Sequence, residues 1–160
     1  MTTQSTLSPA LDPGAFAERL VGRPLWSHQL DFARCPARYR VACAGRQVGK
    51  SEVLAIASLH TAFTRRDAIV LLVSAGEVAS QRLLETCASL ATSSPMLRGS
   101  VLDENKSELT LSNGSRILSV PASQRQIRGW PVDLLVLDEA GFIDPEIWRA
   151  AEPAIIARTG

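Results

Sequence analysis

The sequence predicts an α/β domain with a mainly parallel sheet flanked by helices. Three observations carry that prediction. Ala68-Ile69-Val70-Leu71-Leu72-Val73 and Val132 to Leu137 are almost uninterrupted apolar runs, the look of strands buried on both faces, as parallel strands usually are. Helix-periodic stretches alternate with these runs, as strand–helix units require. A glycine-rich loop opens one of those helices, and two adjacent carboxylates close the second apolar run.

Residues 1–11 are Thr- and Ser-rich and read as a flexible leader. Asp12-Pro13 starts a helix, because Asp caps and Pro suits the first turn; Gly22 stops it. A second short helix follows Pro24-Leu25-Trp26, capped by Ser27 and ended before Pro36. Arg38 to Ala44 is expected to be a strand, with Val41, Ala42 and Cys43 at its buried end. A helix from Lys50 to Thr64 places Val53, Leu54, Ile56, Ala57 and Leu59 on its apolar positions. Asp67 to Ser74 is the first apolar strand, broken by Gly76, and Val78 to Thr92 the next helix. Glu108–Ser112 and Ser115–Val120 flank Asn113-Gly114, a dipeptide suited to a tight hairpin turn. Pro121 to Pro131 is a loop or short helix, Val132 to Leu137 a strand, and Pro145 to Ala150 a helix. No internal repeat is visible.

The 160 residues suffice for one domain with a real core. With 46% hydrophobic residues and 21% charged, a globular soluble chain is expected. The net charge of +1 excludes a protein that grips nucleic acid by bulk charge. No apolar run approaches the ~18 residues of a membrane span, and the first nine residues lack a signal-peptide layout, so no membrane partner and a cytoplasmic location are expected. Cys35, Cys43 and Cys87 fit no zinc spacing and are expected to be reduced and mostly buried. His28 and His60 stand alone, which disfavours metal or catalytic roles.

The segment Ala44-Gly45-Arg46-Gln47-Val48-Gly49-Lys50-Ser51 carries the chemistry of triphosphate binding. Small residues let backbone N–H groups point inward. The helix that starts near Gly49-Lys50 adds the positive end of its dipole. Lys50 supplies a point charge for the outer phosphates of ATP, and the Ser51 hydroxyl a ligand for Mg2+. One departure is that Ala44 stands where the usual first glycine would be, with Gly45 one place later. The strand–loop–helix context is what this motif requires.

Leu134-Leu135-Val136-Leu137 runs into Asp138-Glu139. Two acids at a buried strand end are costly unless a cation or base chemistry uses them. Asp138 is expected to hold magnesium, directly or through water, and Glu139 to act as general base on the attacking water. The pair marks hydrolysis more than simple binding. In open α/β sheets ligands sit beyond the carboxyl ends of strands, and both motifs are expected at such ends of a P-loop NTPase.

Several further features follow in a fixed order. Arg46-Gln47 lies inside the loop, and Asn113-Gly114-Ser115-Arg116-Ile117 lies between the motifs. Ile127-Arg128-Gly129-Trp130-Pro131-Val132-Asp133 leads into the acidic strand, and Ala140-Gly141-Phe142-Ile143 follows it. Over about residues 20–157 this series resembles the N-terminal ATPase domain of the large terminase subunit of tailed bacteriophages and their prophages. Superfamily-two helicases share the layout but usually differ after the acidic pair. The resemblance implies a RecA-like fold of the ASCE type and an ATP-driven motor that packages viral DNA. It implies that Arg46 acts in cis on the γ-phosphate and that Gln29 is the candidate to read adenine. It also implies as partners double-stranded DNA, further copies of the subunit in a ring, a phage portal and a small terminase subunit. Arg125 and Arg128 read either as ordinary surface-loop residues or as contacts to DNA phosphates or a neighbouring subunit.

The family has more than these residues supply. A further strand with a coupling motif is expected after residue 157, between the phosphate-loop strand and the acidic strand, and then a nuclease domain. After Glu139 the acids are Asp144, Glu146 and Glu152, which make no convincing two-metal nuclease site. Residues 12–160 therefore read as a partial ATPase domain, incomplete at its C-terminus and a poor ATPase alone. The competing readings are a catalytically weak nucleotide-binding remnant of a prophage terminase and a helicase-like DNA-dependent ATPase.

Overall fold

The computed structural model describes residues 12–121, 127 and 129–156. The expected leader, and Arg125 and Arg128, lie outside the described residues.

The first element among the described residues is a helical turn, α1 (Pro13–Ala15), that continues as a π-helix over Phe16–Val21. The Asp12 carboxylate accepts from the Ala15 amide at 2.7 Å, and Gly22 ends the helix in a left-handed conformation, φ 76°. Asp12 also pairs with Arg34 of α2 (Ser27–Arg34), and that hydrogen bond holds its carboxyl below the usual range. The N-cap of α2 is Trp26, one residue before the expected Ser27. Its amide donates to the Gln29 side chain at 2.8 Å, so a glutamine in the first turn does the capping.

Next come α3 (Lys50–Thr64), β1 (Ile69–Ser74) and α4 (Glu77–Ser93). Three short strands follow, β2 (Val101–Glu104), β3 (Glu108–Leu111) and β4 (Arg116–Pro121). The last elements among the described residues are β5 (Leu134–Asp138) and α5 (Pro145–Ile156). The sheet order is β2-β3-β4-β1-β5. β1 runs parallel to β4 and β5, while β3 is antiparallel to β2 and β4. The sheet is thus mixed, and parallel only around its centre. The hairpin at Asn113-Gly114 supplies the antiparallel part, because so short a turn can join only antiparallel neighbours.

β1 is buried along its whole length, with strands on both sides and helices on both faces. Alternation sorts its residues. Val70 and Leu72 face α3 and α4, packing with Val53, Ile56, Leu59, Leu83 and Val136. Ile69, Leu71 and Val73 face the layer that holds Ile127, Ile147 and Ala151.

The expected strand at 38–44 does not form. Residues 40–45 carry no regular secondary structure and no strand pairing, and Val41, Ala42 and Cys43 are exposed, Val41 at 92%. Among the described residues β5 has β1 on one side and no strand on the other. An extended segment gains ladder hydrogen bonds only beside a partner. Side chains anchor this one instead. Arg40 donates to the Phe32 and Ala33 carbonyls of α2, and Tyr39 packs edge-on against Trp148 of α5. Two of the three thiols, Cys35 at the end of α2 and Cys43 in this segment, are exposed rather than buried. Cys87 is enclosed, and burial pushes its thiol up to about 12, which leaves it inert at neutral pH. No helix among the described residues is long and apolar enough to cross a membrane.

Candidate functional site: the loop before α3 and the end of β5

Residues Ala44 to Gly49 form an exposed to half-exposed loop that turns straight into α3. Two left-handed residues shape it, Gln47 at φ 61° and Gly49 at φ 76°. Gly49 is the N-cap of α3 and offers no side chain, so no capping hydrogen bond satisfies the first turn. A helix start left this way presents unpaired N–H groups and the positive dipole end to an anion.

Helix α2 braces the loop from behind. The buried Gln29 donates from Nε2 to the Gly49 carbonyl at 3.0 Å while its Oε1 caps Trp26. His28 Nε2 lies 3.2 Å from the Val48 carbonyl, with its ring beside the exposed Trp26. His28 carries no functional signal in the sequence beyond its place between Trp26 and Gln29. Lys50 folds back so that Nζ donates to the Ala44 carbonyl at 2.9 Å. Gly45, Arg46 and Ser51 are exposed.

The acidic pair lies at the carboxyl end of β5. Alternation puts Asp138 on the same face as Val136 and Leu134, the face covered by α3. Glu139 amide N–H donates to Asp138 Oδ1 at 3.0 Å. Glu139 itself is exposed and left-handed, φ 53°, which turns the chain away from the strand into a short 3-10 helix, Ala140–Phe142.

Topology brings loop and acids to one end. The C-terminus of α3 is pinned by Asn113, whose Nδ2 donates to the Ala62 and Arg65 carbonyls at 2.8 and 2.9 Å. Asn113 sits in the turn just before β4, and β1 begins four residues after Arg65. The C-terminus of α3 is therefore at the amino ends of β1 and β4. Its N-terminus, with Lys50 and Ser51, is at their carboxyl ends, where parallel β5 places Asp138. No group of three or more His, Cys, Asp or Glu side chains suited to a metal occurs among the described residues. The Ser51 hydroxyl and the Asp138 and Glu139 carboxylates offer hard oxygens at this end of the sheet.

No protein-family model matches the chain. The large terminase subunits of Thermus virus P23-45 and Thermus phage G20c are each 28% identical to it over 152 residues. The match takes in 82% of this chain and 31% of either relative. Among solved structures, the large terminase ATPase domain of Thermus phage P74-26 superposes with a TM-score of 0.82 at 23% identity. That superposition covers 94% of this chain and 67% of the solved one.

The chain is similar in sequence to large terminase subunits and in fold to a solved large terminase ATPase domain.

A point mutant of the same Thermus domain gives a TM-score of 0.77 at 24% identity. At these identities the solved structures establish the terminase-type fold, and the chain spans about a third of the length of the terminase subunits it matches.

Proposed function

We propose that the chain binds and hydrolyses ATP, as the RecA-like ASCE motor core of a DNA-packaging terminase large subunit. The observation that carries this reading is the uncapped start of α3, with Lys50 and Ser51, at the same sheet end and on the same face as Asp138. The relatives, named as large terminase subunits, support the packaging context. Double-stranded DNA, a ring of subunits, the portal and the small subunit are the partners this reading brings with it.

ATP is the substrate. Its phosphates meet the free N–H groups of the first α3 turn, and Lys50 exchanges the Ala44 carbonyl for the outer phosphates. Ser51 and Asp138 offer hard oxygens, which suit magnesium. When bound, that ion neutralises charge on the β- and γ-phosphates. Glu139 stands on the exposed side of the turn, where its carboxylate can accept the proton of the attacking water. Water oxygen bonds to the γ-phosphorus, the bond to the β–γ bridging oxygen breaks, and ADP leaves. Arg46, exposed in the loop, spreads its charge over a planar fork suited to the transferred group. Gln29 holds the loop through Gly49 and retains one amide proton for the adenine edge.

The test is calorimetric ATP binding beside magnesium-dependent phosphate release. Lys50→Ala is expected to weaken binding at least tenfold. Glu139→Gln should keep binding and lose roughly 10²-fold or more of turnover, the usual scale of general base catalysis. Undiminished turnover in Glu139→Gln removes the base assignment.

A further inference from the structure

Ser74, the last residue of β1, is fully buried, and its Oγ makes no hydrogen bond among the described residues. The other fully buried serines are satisfied. Ser58 donates to Leu54, Ser115 to Arg65, and Ser80 to Glu77 with Ser119 alongside. A buried hydroxyl without a partner costs free energy and calls for an explanation.

The register supplies one. Ser74 is the direct partner of Asp138 across the parallel β1–β5 pair. Neighbouring strands lie about 4.8 Å apart, and paired residues project to one face. Ser74 follows Val70 and Leu72, and Asp138 follows Leu134 and Val136, on the α3 side. One carboxylate oxygen of Asp138 accepts from the Glu139 amide, while the other has no partner among the described residues. A donor without an acceptor thus lies one strand spacing from an acceptor without a donor.

We propose that Ser74 is a positioning residue of the nucleotide site, whose hydroxyl donates to the free Asp138 oxygen and fixes the carboxylate for a divalent cation. The inference rests on the ATP-site reading above. It makes Ser74 a group whose burial disfavours the empty protein and is recovered when the site is filled.

The experiment titrates magnesium against ATP binding by the 160-residue chain, with a melt of each protein without nucleotide. Ser74→Ala should raise the half-saturating magnesium roughly tenfold, the scale of losing a hydrogen bond to a charged group. Its ATP affinity in excess chelator should be unchanged. Its nucleotide-free melting temperature should hold or rise by ~2–4 °C, as expected when an unsatisfied group is removed. Ser74→Cys, of similar size but a weak donor, should share the magnesium defect. A magnesium requirement within twofold of the native chain in both variants overturns the inference and leaves the ATP site standing. So does a lower nucleotide-free melt in both, which would mark the hydroxyl as structural. Failure of the native chain to bind ATP with magnesium at all overturns both readings.

Discussion

Gly49 meets two requirements at once. Its backbone is left-handed, φ 76°, and a Cβ built there would overlap Gln29 Nε2. Gly49→Ala is therefore expected to destabilise the chain by about 1–2 kcal/mol, the sum of left-handed strain and a displaced hydrogen bond. It should also weaken ATP binding, because the loop can no longer rest on α2. Chemical denaturation and calorimetry measure the two effects; a stable variant with native affinity would show that the brace is dispensable. Arg46 is the contrasting residue, exposed and with no ion pair among the described residues. Arg46→Ala should leave stability within about 0.5 kcal/mol and lower turnover far more than affinity, since its contact strengthens in the transition state. If only the Michaelis constant moved, Arg46 would be a binding residue instead.

At the level of elements, the β3–β4 hairpin extends the sheet away from the site and seats the C-terminus of α3. Its register is fixed by Asn113-Gly114 and by a forked pair in which Arg116 Nε and Nη2 donate to the two Glu108 oxygens. The Arg116 hydrogen bond is the main reason the Glu108 carboxyl sits below its ordinary value of 4.5. A carboxyl lowered in the folded state adds stability above the unfolded value and loses it as pH falls through the lowered one. The Arg116 side chain is 36% exposed, so solvent screening limits the contribution. Glu108→Gln should cost about 0.5–1 kcal/mol at pH 7, and its deficit should vanish as pH drops below 4.5. Urea titrations of both proteins at pH 7 and near pH 3 check this; a deficit that persists in acid would assign the effect to packing.

Over the whole molecule, stability is expected to fall from the sheet centre toward the site. β1 is enclosed by β4, β5 and both helical layers, whereas residues 40–45 have no strand partner and β5 has one free edge among the described residues. Amide exchange should be slowest in β1 and fastest in 40–45, with β5 between them. Mass-detected exchange of the chain reads this directly. Magnesium and ATP should slow exchange at 44–51 in particular, because a ligand held by the loop protects its N–H groups. Protection of 40–45 equal to that of β1 would mean that this segment pairs with a strand in solution.

The sequence by itself determined the helix at 50–64, both apolar strands and the Asn-Gly hairpin. These are local matters, settled by periodicity and turn chemistry. Helix α3 spans Lys50–Thr64, and the strand before the acids ends at Asp138. What only the tertiary structure decided depends on neighbours. Val41-Ala42-Cys43 has the composition of a strand yet lies exposed, because pairing needs an adjacent strand and none of the described ones is beside it. Gln29 reads as an isolated polar residue on a short helix, and the fold buries it against a loop twenty residues away. Ser74 reads as the polar end of an apolar run, and only the β1–β5 register sets it beside Asp138. Composition reports what a segment can do; pairing and packing choose among those options.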